Sequence, residues 1–222
     1  MVGYDGASIA IFINLKEFTM TAADFWNKRY QTDEFLFGVE PNDFIRAVTP
    51  IPKPGAKAFA PADGEGRNGV FLAELGYQVT SVDVSQFAVD KAKGLAKTHK
   101  VTVDSHVGDV FAFPCPDDHY DLVIVCFMHF LPDDHVRFVD LLKRCLKPGG
   151  VLIMEGYTLE QLPLTSGGPK NPDMLWSAEA IASEFSEFDI LLLQETRRFL
   201  AEGHRHQGEA ATLQFLGRKP VA

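Results

Sequence analysis

The stretch Ala58 to Asn68 reads AFAPADGEGRN, a short apolar run that turns through Gly64 and Gly66 toward a helix. Glycine at such a turn lets the backbone approach a ligand without Cβ interference, at the positive end of a helix dipole. Gly64-x-Gly66-x-x-Gly69 matches the spacing of a dinucleotide fingerprint. Asp83 ends the next apolar run, where its carboxylate would accept hydrogen bonds from both hydroxyls of a ribose. An adenosine-bearing ligand is the shared implication. His129 follows the run YDLVIVCF, whose carboxyl end would face a crevice, so it is a candidate for contact with cofactor or acceptor. His204, Arg205 and His206 sit together in EGHRHQG and read as solvated hairpin-loop residues. Glu155 reads equally as a substrate contact at a strand end or as a buried, paired carboxylate. Cys115, Cys126 and Cys145 lie in apolar runs without an activating neighbour or a Cys-x-x-Cys pair, which argues against nucleophilic catalysis, disulfides and a metal site. Neither a Gly-x-Ser-x-Gly elbow nor a Gly-Lys-Ser/Thr phosphate loop occurs, so hydrolase and kinase readings fall away.

These residues need a scaffold, and the composition supports one. The chain has 222 residues, 46% hydrophobic and 11% aromatic, with 21 Lys plus Arg against 30 Asp plus Glu for a net charge of −9. That predicts a single globular domain and disfavours a nucleic-acid partner, which needs dense Lys and Arg. The early apolar run Ala7 to Leu15 is about half the length of a membrane span and lacks a cationic flank, so neither a membrane partner nor a signal peptide is expected. A cytoplasmic location follows as the expectation. Residues 1–19 are expected to be an extension that activity does not require, and 20–222 the domain.

Strands and helices alternate along it. Helices are expected at Asp24 to Gln31, at Pro41 to Val48 with Pro at its start, and at Arg67 to Leu75, ended by Gly76. Ser85 caps a further helix. Pro132 to Lys147 makes an amphipathic one, stopped by Pro148-Gly149-Gly150, and Ser177 caps a short one to about Phe185. Strands are expected at Lys57 to Pro61, Gln78 to Val82, Val101 to Val107, Tyr120 to Phe127 and Val151 to Tyr157. A final pair, Asp189 to Phe199 and Glu209 to Gly217, forms a hairpin. Thr158 to Trp176 reads as a long loop without regular period. The fold class is α/β: a three-layer, doubly wound, Rossmann-like sheet of seven strands, mostly parallel with an antiparallel strand at one edge.

In order along the chain stand GEGRN (64–68), SVDVS (81–85), VGDVFAF (107–113), YDLVIVCFMHFLP (120–132) and LKPGG (146–150). Their order resembles that of the class I S-adenosylmethionine-dependent methyltransferases over about Trp26 to Gly217. WNKRY…FGVEPNDF and GGPKNPDMLW look similar to the small bacterial tellurite-resistance and thiopurine methyltransferase-like group. The resemblance implies S-adenosyl-L-methionine as cofactor. It implies that Asp83 and Val84 hold the ribose end, that Asp109 with the Val110 amide reads the adenine edge, and that Asp63, Gly64, Gly66 and Asn68 pass beside the methionine part. Cys126, Phe127 and His129 would line the sulfonium pocket, and residues 20–50, with Trp26, Tyr30 and Phe37, would form a helical lid. His206 resembles a His-x-Gly feature on the acceptor side. One departure is visible: Ala60 and Ala62 stand where the family has an acid and a first glycine, which leaves Asp63 as the nearest acid. The implied reaction is in-line methyl transfer to a small-molecule acceptor. A thiol, selenium or tellurium nucleophile needs no base, and an oxygen or nitrogen acceptor would call on His129 or His206. The alternatives are an NAD-dependent oxidoreductase using the same glycine spacing and a non-catalytic S-adenosylmethionine-binding protein.

Overall fold

The computed structural model describes residues 21–221, so the expected extension, residues 1–19, lies outside the described residues. The elements run α1 (Ala22–Tyr30), α2 (Asp43–Val48), β1 (Lys57–Pro61), α3 (Arg67–Leu75), β2 (Gln78–Asp83), α4 (Gln86–His99), β3 (Val103–Val107) and β4 (Tyr120–Cys126). They continue with α5 (Pro132–Cys145), β5 (Leu146–Tyr157), α6 (Ala178–Glu184), β6 (Asp189–Glu202) and β7 (His206–Arg218). Small polar residues begin the helices as their chemistry dictates: Thr21 and Asp24 form a reciprocal capping box on α1, and Ser85 and Ser177 accept from the backbone of α4 and α6.

The strands form one seven-stranded sheet in the order β3-β2-β1-β4-β5-β7-β6. Period-two alternation sorts its side chains into two cores. Phe59, Val123, Val125, Leu152 and Phe215 face α5 and α6 through Phe138, Leu142 and Ile181. Ala58, Ala60, Leu122, Ile124 and Ile153 face α2 and α3 through Ile45 and Leu72. The result is three layers, with the tips of β1, β2 and β4 opening on one side where the sheet order reverses.

The antiparallel strand is β7, inserted between β5 and β6 rather than at the rim. Its buried Ala210, Ala211, Leu213 and Phe215 need cover on both faces, whereas the largely exposed β6 tolerates the edge. Several boundaries also differ from the sequence reading. Pro41 precedes the second helix, and Asn42 caps it because its side chain can accept the Ile45 N–H. LKPGG is not merely a helix stop: α5 ends at Cys145, and Leu146 already pairs with Tyr120 before an irregularity in the ladder. The 158–176 segment contains two single-turn helices, Leu159–Gln161 and Pro172–Met174, and is closed by a bridge between Thr158 and Trp176. The hairpin strands extend until only Gly203, His204 and Arg205 connect them, so His206 is the first residue of a strand and is buried.

Candidate active site

At the carboxyl ends of the central strands lies a cavity of about 1260 Å³, lined by the glycine turn, the ends of β2 and β4, the 108–111 segment, α1, the 165–170 loop and the β6–β7 turn. Gly64 and Gly66 have φ of +58° and +91°, a left-handed backbone that glycine adopts without strain. A Cβ on Gly66 would lie 2.6 Å from that of Ala92, so the helices α3 and α4 close over this position only because it is bare. The turn then delivers the Gly64 N–H to the Asp83 carboxylate, Oδ2 accepting at 3.0 Å while Oδ1 accepts from Ser85 N–H at 2.9 Å. Both oxygens keep a lone pair for further donors. Burial pushes the Asp83 carboxyl up to about 6, against the two N–H bonds that pull it down.

The departure from the family pattern has a structural signature. Ala62 holds φ +49°, the left-handed conformation that a glycine would adopt freely. Asp63 does not replace the missing acid at Ala60. Its carboxylate turns back to accept the Gly69 N–H at 3.1 Å inside the first turn of α3, and burial lifts it to about 8. Asn68 likewise accepts the Asn42 N–H at 2.9 Å, fastening the amino-terminal segment to the turn. Asp109 accepts the Phe111 N–H at 3.0 Å and, with Val84 and Val110, lines the same cavity.

Cys126 and Phe127 stand at the end of β4. Phe127 adopts φ +51°, an outlier for an aromatic residue, while its N–H donates to the Glu155 carbonyl at 2.7 Å. That geometry aims its ring at Tyr157 and His206, with centroids 4.5 and 4.6 Å away, and Phe37 approaches His206 from the amino-terminal segment at 4.6 Å. Burial raises the Cys126 thiol to about 12, so it is no nucleophile. His129 is also in the wall, but Nδ1 lies 2.8 Å from the Met174 carbonyl and Nε2 accepts the Tyr157 N–H at 3.0 Å. Both nitrogens are thus engaged with backbone, and burial depresses the imidazole to about 4.

Glu65, Arg198 and Glu202 were not singled out by sequence reasoning, and the buried cluster that Arg198 and Glu202 join decides the reading of Glu155. Glu155 resolves as the buried, paired carboxylate: fully buried, it accepts from Arg198, Thr212, Gln214 and Asn42. Arg198 bridges it to Glu202, which also binds Arg67 at 2.7 Å. Arg67 stood within the quoted GEGRN, but only the fold reveals its partner 135 residues away. Glu65 of the same turn accepts the Leu36 N–H at 2.8 Å and pairs with Lys91, tying the amino-terminal segment to the glycine turn. Charges of both signs line the cavity: Asp83, Asp109, Glu65 and Asp134 with Arg67 and Arg137, and also Arg29, Lys170 and Arg205, which have no carboxylate partner among the described residues. Burial and the nearby Arg205 lower the Arg29 pKa.

The volume, the bare glycine backbone and a buried carboxylate with spare lone pairs fit an adenosyl cofactor. Residues 62–150 match the family model described as a methyltransferase domain. In solved structures, a protein from a study of the conversion of a disulfide bond into a thioacetal group during echinomycin biosynthesis shares the fold with TM-score 0.71 and 18% identity, over 89% of this chain and 92% of that one. TehB from Haemophilus influenzae aligns with TM-score 0.64 and 19% identity over 89% of this chain and 66% of that one. A methyltransferase from Methanosarcina mazei aligns with TM-score 0.63 and 15% identity over 82% and 100%. Among curated proteins, an uncharacterized protein of Mycobacterium tuberculosis is 27% identical over 48% of this chain and 39% of its own length. A tRNA N(3)-cytidine methyltransferase of Gallus gallus is 31% identical over 40% and 24%. The chain therefore spans about two fifths or less of the length of these curated relatives. The match to a methyltransferase domain over residues 62–150 falls on the segment that carries the glycine turn, Asp83 and Asp109, and the fold is one that solved methyltransferase structures share.

Proposed function

We propose that this protein methylates a small acceptor carrying a soft nucleophile, a thiol or its selenium or tellurium counterpart, and that it does so as a member of the tellurite-resistance and thiopurine methyltransferase-like group. The observation that carries the reading is that one cavity is lined both by the glycine turn with Asp83 and Asp109 and by an aromatic cluster of Phe37, Phe127, Tyr157 and His206. When bound, the cofactor supplies an activated methyl group on a sulfonium. Asp83 would hold its ribose, Asp109 and the Val110 amide would face its adenine, and the Gly64–Gly66 backbone would run beside its methionine part.

The aromatic cluster is built for the acceptor. Phe37, Phe127, Tyr157 and His206 make an aromatic box that excludes water, and Arg29, Arg205 and Lys170 give its surroundings a positive potential that favours a thiolate over a thiol. The lid role of residues 20–50 rests on α1 and the 36–37 segment, which cover the cavity and are held by Glu65 and Asn68. His206 is the residue placed to take a proton, and His129 instead fixes the 174 segment against β5. The likeness to TehB supports the finer grouping, and three unpaired cysteines suit action in the reducing cytoplasm. Among the described residues no helix is long and apolar enough to cross a membrane.

The test is turnover of S-adenosylmethionine by the full chain against aromatic and aliphatic thiols, selenite, tellurite, amines and phenols, followed by release of the demethylated cofactor and mass analysis of the acceptor. Transfer to sulfur, selenium or tellurium compounds supports the reading. Transfer confined to amines or phenols, or cofactor binding without turnover on any acceptor, overturns it.

A further inference from the structure

The register of the last hairpin places Glu202 directly opposite His206 across β6 and β7, and both side chains are buried. His206 Nδ1 lies 3.6 Å from Glu202 Oε2, too far for a hydrogen bond, and is one of two buried polar side-chain atoms without a partner among the described residues. Glu202 is itself immobilised: Arg67 donates to Oε2 at 2.7 Å, and Arg198 and Asn42 donate to Oε1 at 2.7 and 3.2 Å. Such catalytic contacts are often long in a free enzyme and shorten when the site is filled.

The electrostatics select one tautomer. Burial disfavours the Glu202 charge, but the Arg67 and Arg198 guanidiniums hold its carboxyl down, so it is an anion at neutral pH. Burial also depresses His206, with Glu202 opposing and Arg67 and Arg198 assisting, so the imidazole is neutral. Glu155, Cys126, Tyr157, His129 and Asp43 are the other titratable groups around this cluster. A neutral imidazole with its Nδ1 lone pair aimed at a carboxylate would be repelled, whereas Nδ1–H would be attracted. The opposite edge of the ring faces the 167 backbone, where a Cβ on Gly167 would lie 3.2 Å from Nε2.

We propose that Glu202 is a positioning residue that locks His206 as the Nδ1–H tautomer and leaves Nε2 bare toward the acceptor end of the cavity. This rests on the acceptor pocket described under the proposed function. An acceptor that arrives as a thiolate needs no proton transfer; for one that arrives as a thiol, the S–H bond breaks, the proton bonds to Nε2, and the electron pair stays on sulfur. The resulting imidazolium is balanced by the Glu202 carboxylate through Nδ1–H.

The tautomer can be read without cofactor or acceptor, by long-range ¹H–¹⁵N correlation spectra of the ¹⁵N-labelled full chain at pH 7.5, with His206→Gln identifying the resonance. The expected spectrum shows a protonated Nδ1 and an unprotonated Nε2. An Nε2–H tautomer overturns the proposal whether or not methyl transfer occurs, while the expected tautomer in a protein that methylates none of the soft acceptors sinks the functional reading alone. Glu202→Gln, with folding checked by circular dichroism, should lower the His206 pKa further and populate both tautomers. An unchanged His206 pKa and tautomer in a folded Glu202→Gln also overturns it. If that variant does not fold, the wild-type spectrum still decides.

Discussion

Asp83→Asn tests the proposed cofactor recognition, and because an amide nitrogen cannot accept the backbone N–H that one carboxylate oxygen holds, folding has to be followed beside binding. Its Oδ1 and Oδ2 each accept one backbone N–H, from Ser85 and Gly64, and each retains capacity for a ribose hydroxyl. A hydrogen bond to a charged group is worth about 1.5 to 3 kcal/mol, so loss of one such contact should weaken cofactor binding about 10- to 150-fold. The protonation state adds a second signature. Burial raises the carboxyl from 3.8 to about 6, so wild-type affinity should be flat above pH 7 and fall roughly tenfold per pH unit below 6. Folding moves oppositely. Between 3.8 and about 6 the folded protein holds a proton that the unfolded chain has released, so the Asp83 contribution to stability is present at low pH and lost as pH rises through that window. Isothermal titration calorimetry with S-adenosylmethionine from pH 5 to 8, on wild type and Asp83→Asn, measures both effects, and melting curves at each pH separate binding from unfolding. Undiminished affinity in Asp83→Asn, or a wild-type affinity unchanged between pH 5 and 7, would refute the placement of the ribose on this carboxylate.

Gly66→Ala puts a Cβ within 2.8 Å of the Ala92 Cα and forces alanine to φ +91°, so thermal denaturation should show a loss of at least about 1 to 2 kcal/mol. Gly167→Ala would bring a Cβ 2.7 Å from the Tyr157 hydroxyl and 2.8 Å from His206 Cδ2; steady-state kinetics should show kcat falling with little change in cofactor Kd. The Glu202 carboxyl, held near 2 against 4.5 when free, makes acid stability testable. From about pH 4.5 downward the unfolded chain takes up a proton that the folded one refuses, and about 3 kcal/mol of stability should vanish by pH 2 in urea titrations of wild type. Phe138→Ala empties a fully enclosed position between α5 and the sheet and should cost about 3 to 5 kcal/mol in the same assay, with cofactor affinity preserved at pH 7.5.

What the sequence by itself determined is what short-range chemistry determines. The β1–α3 unit, its glycine turn and the acid at the end of β2 were legible because strand period, helix caps and positive-φ glycines act over a few residues. The alternation of elements then leaves a doubly wound sheet as the way to bury both faces of YDLVIVC. Only the tertiary structure decided matters that depend on residues far apart in the chain. Asp63 turned out to serve the helix behind it, since its reach to the Gly69 N–H depends on how α3 leaves the turn. His129 was committed to the backbone by Met174 and Tyr157, whose approach no local pattern encodes. Glu155, Arg67, Arg198 and Glu202 became one buried cluster because burying a charge requires an opposite charge nearby, and the sheet order brings β5, β6 and the start of α3 to the same place.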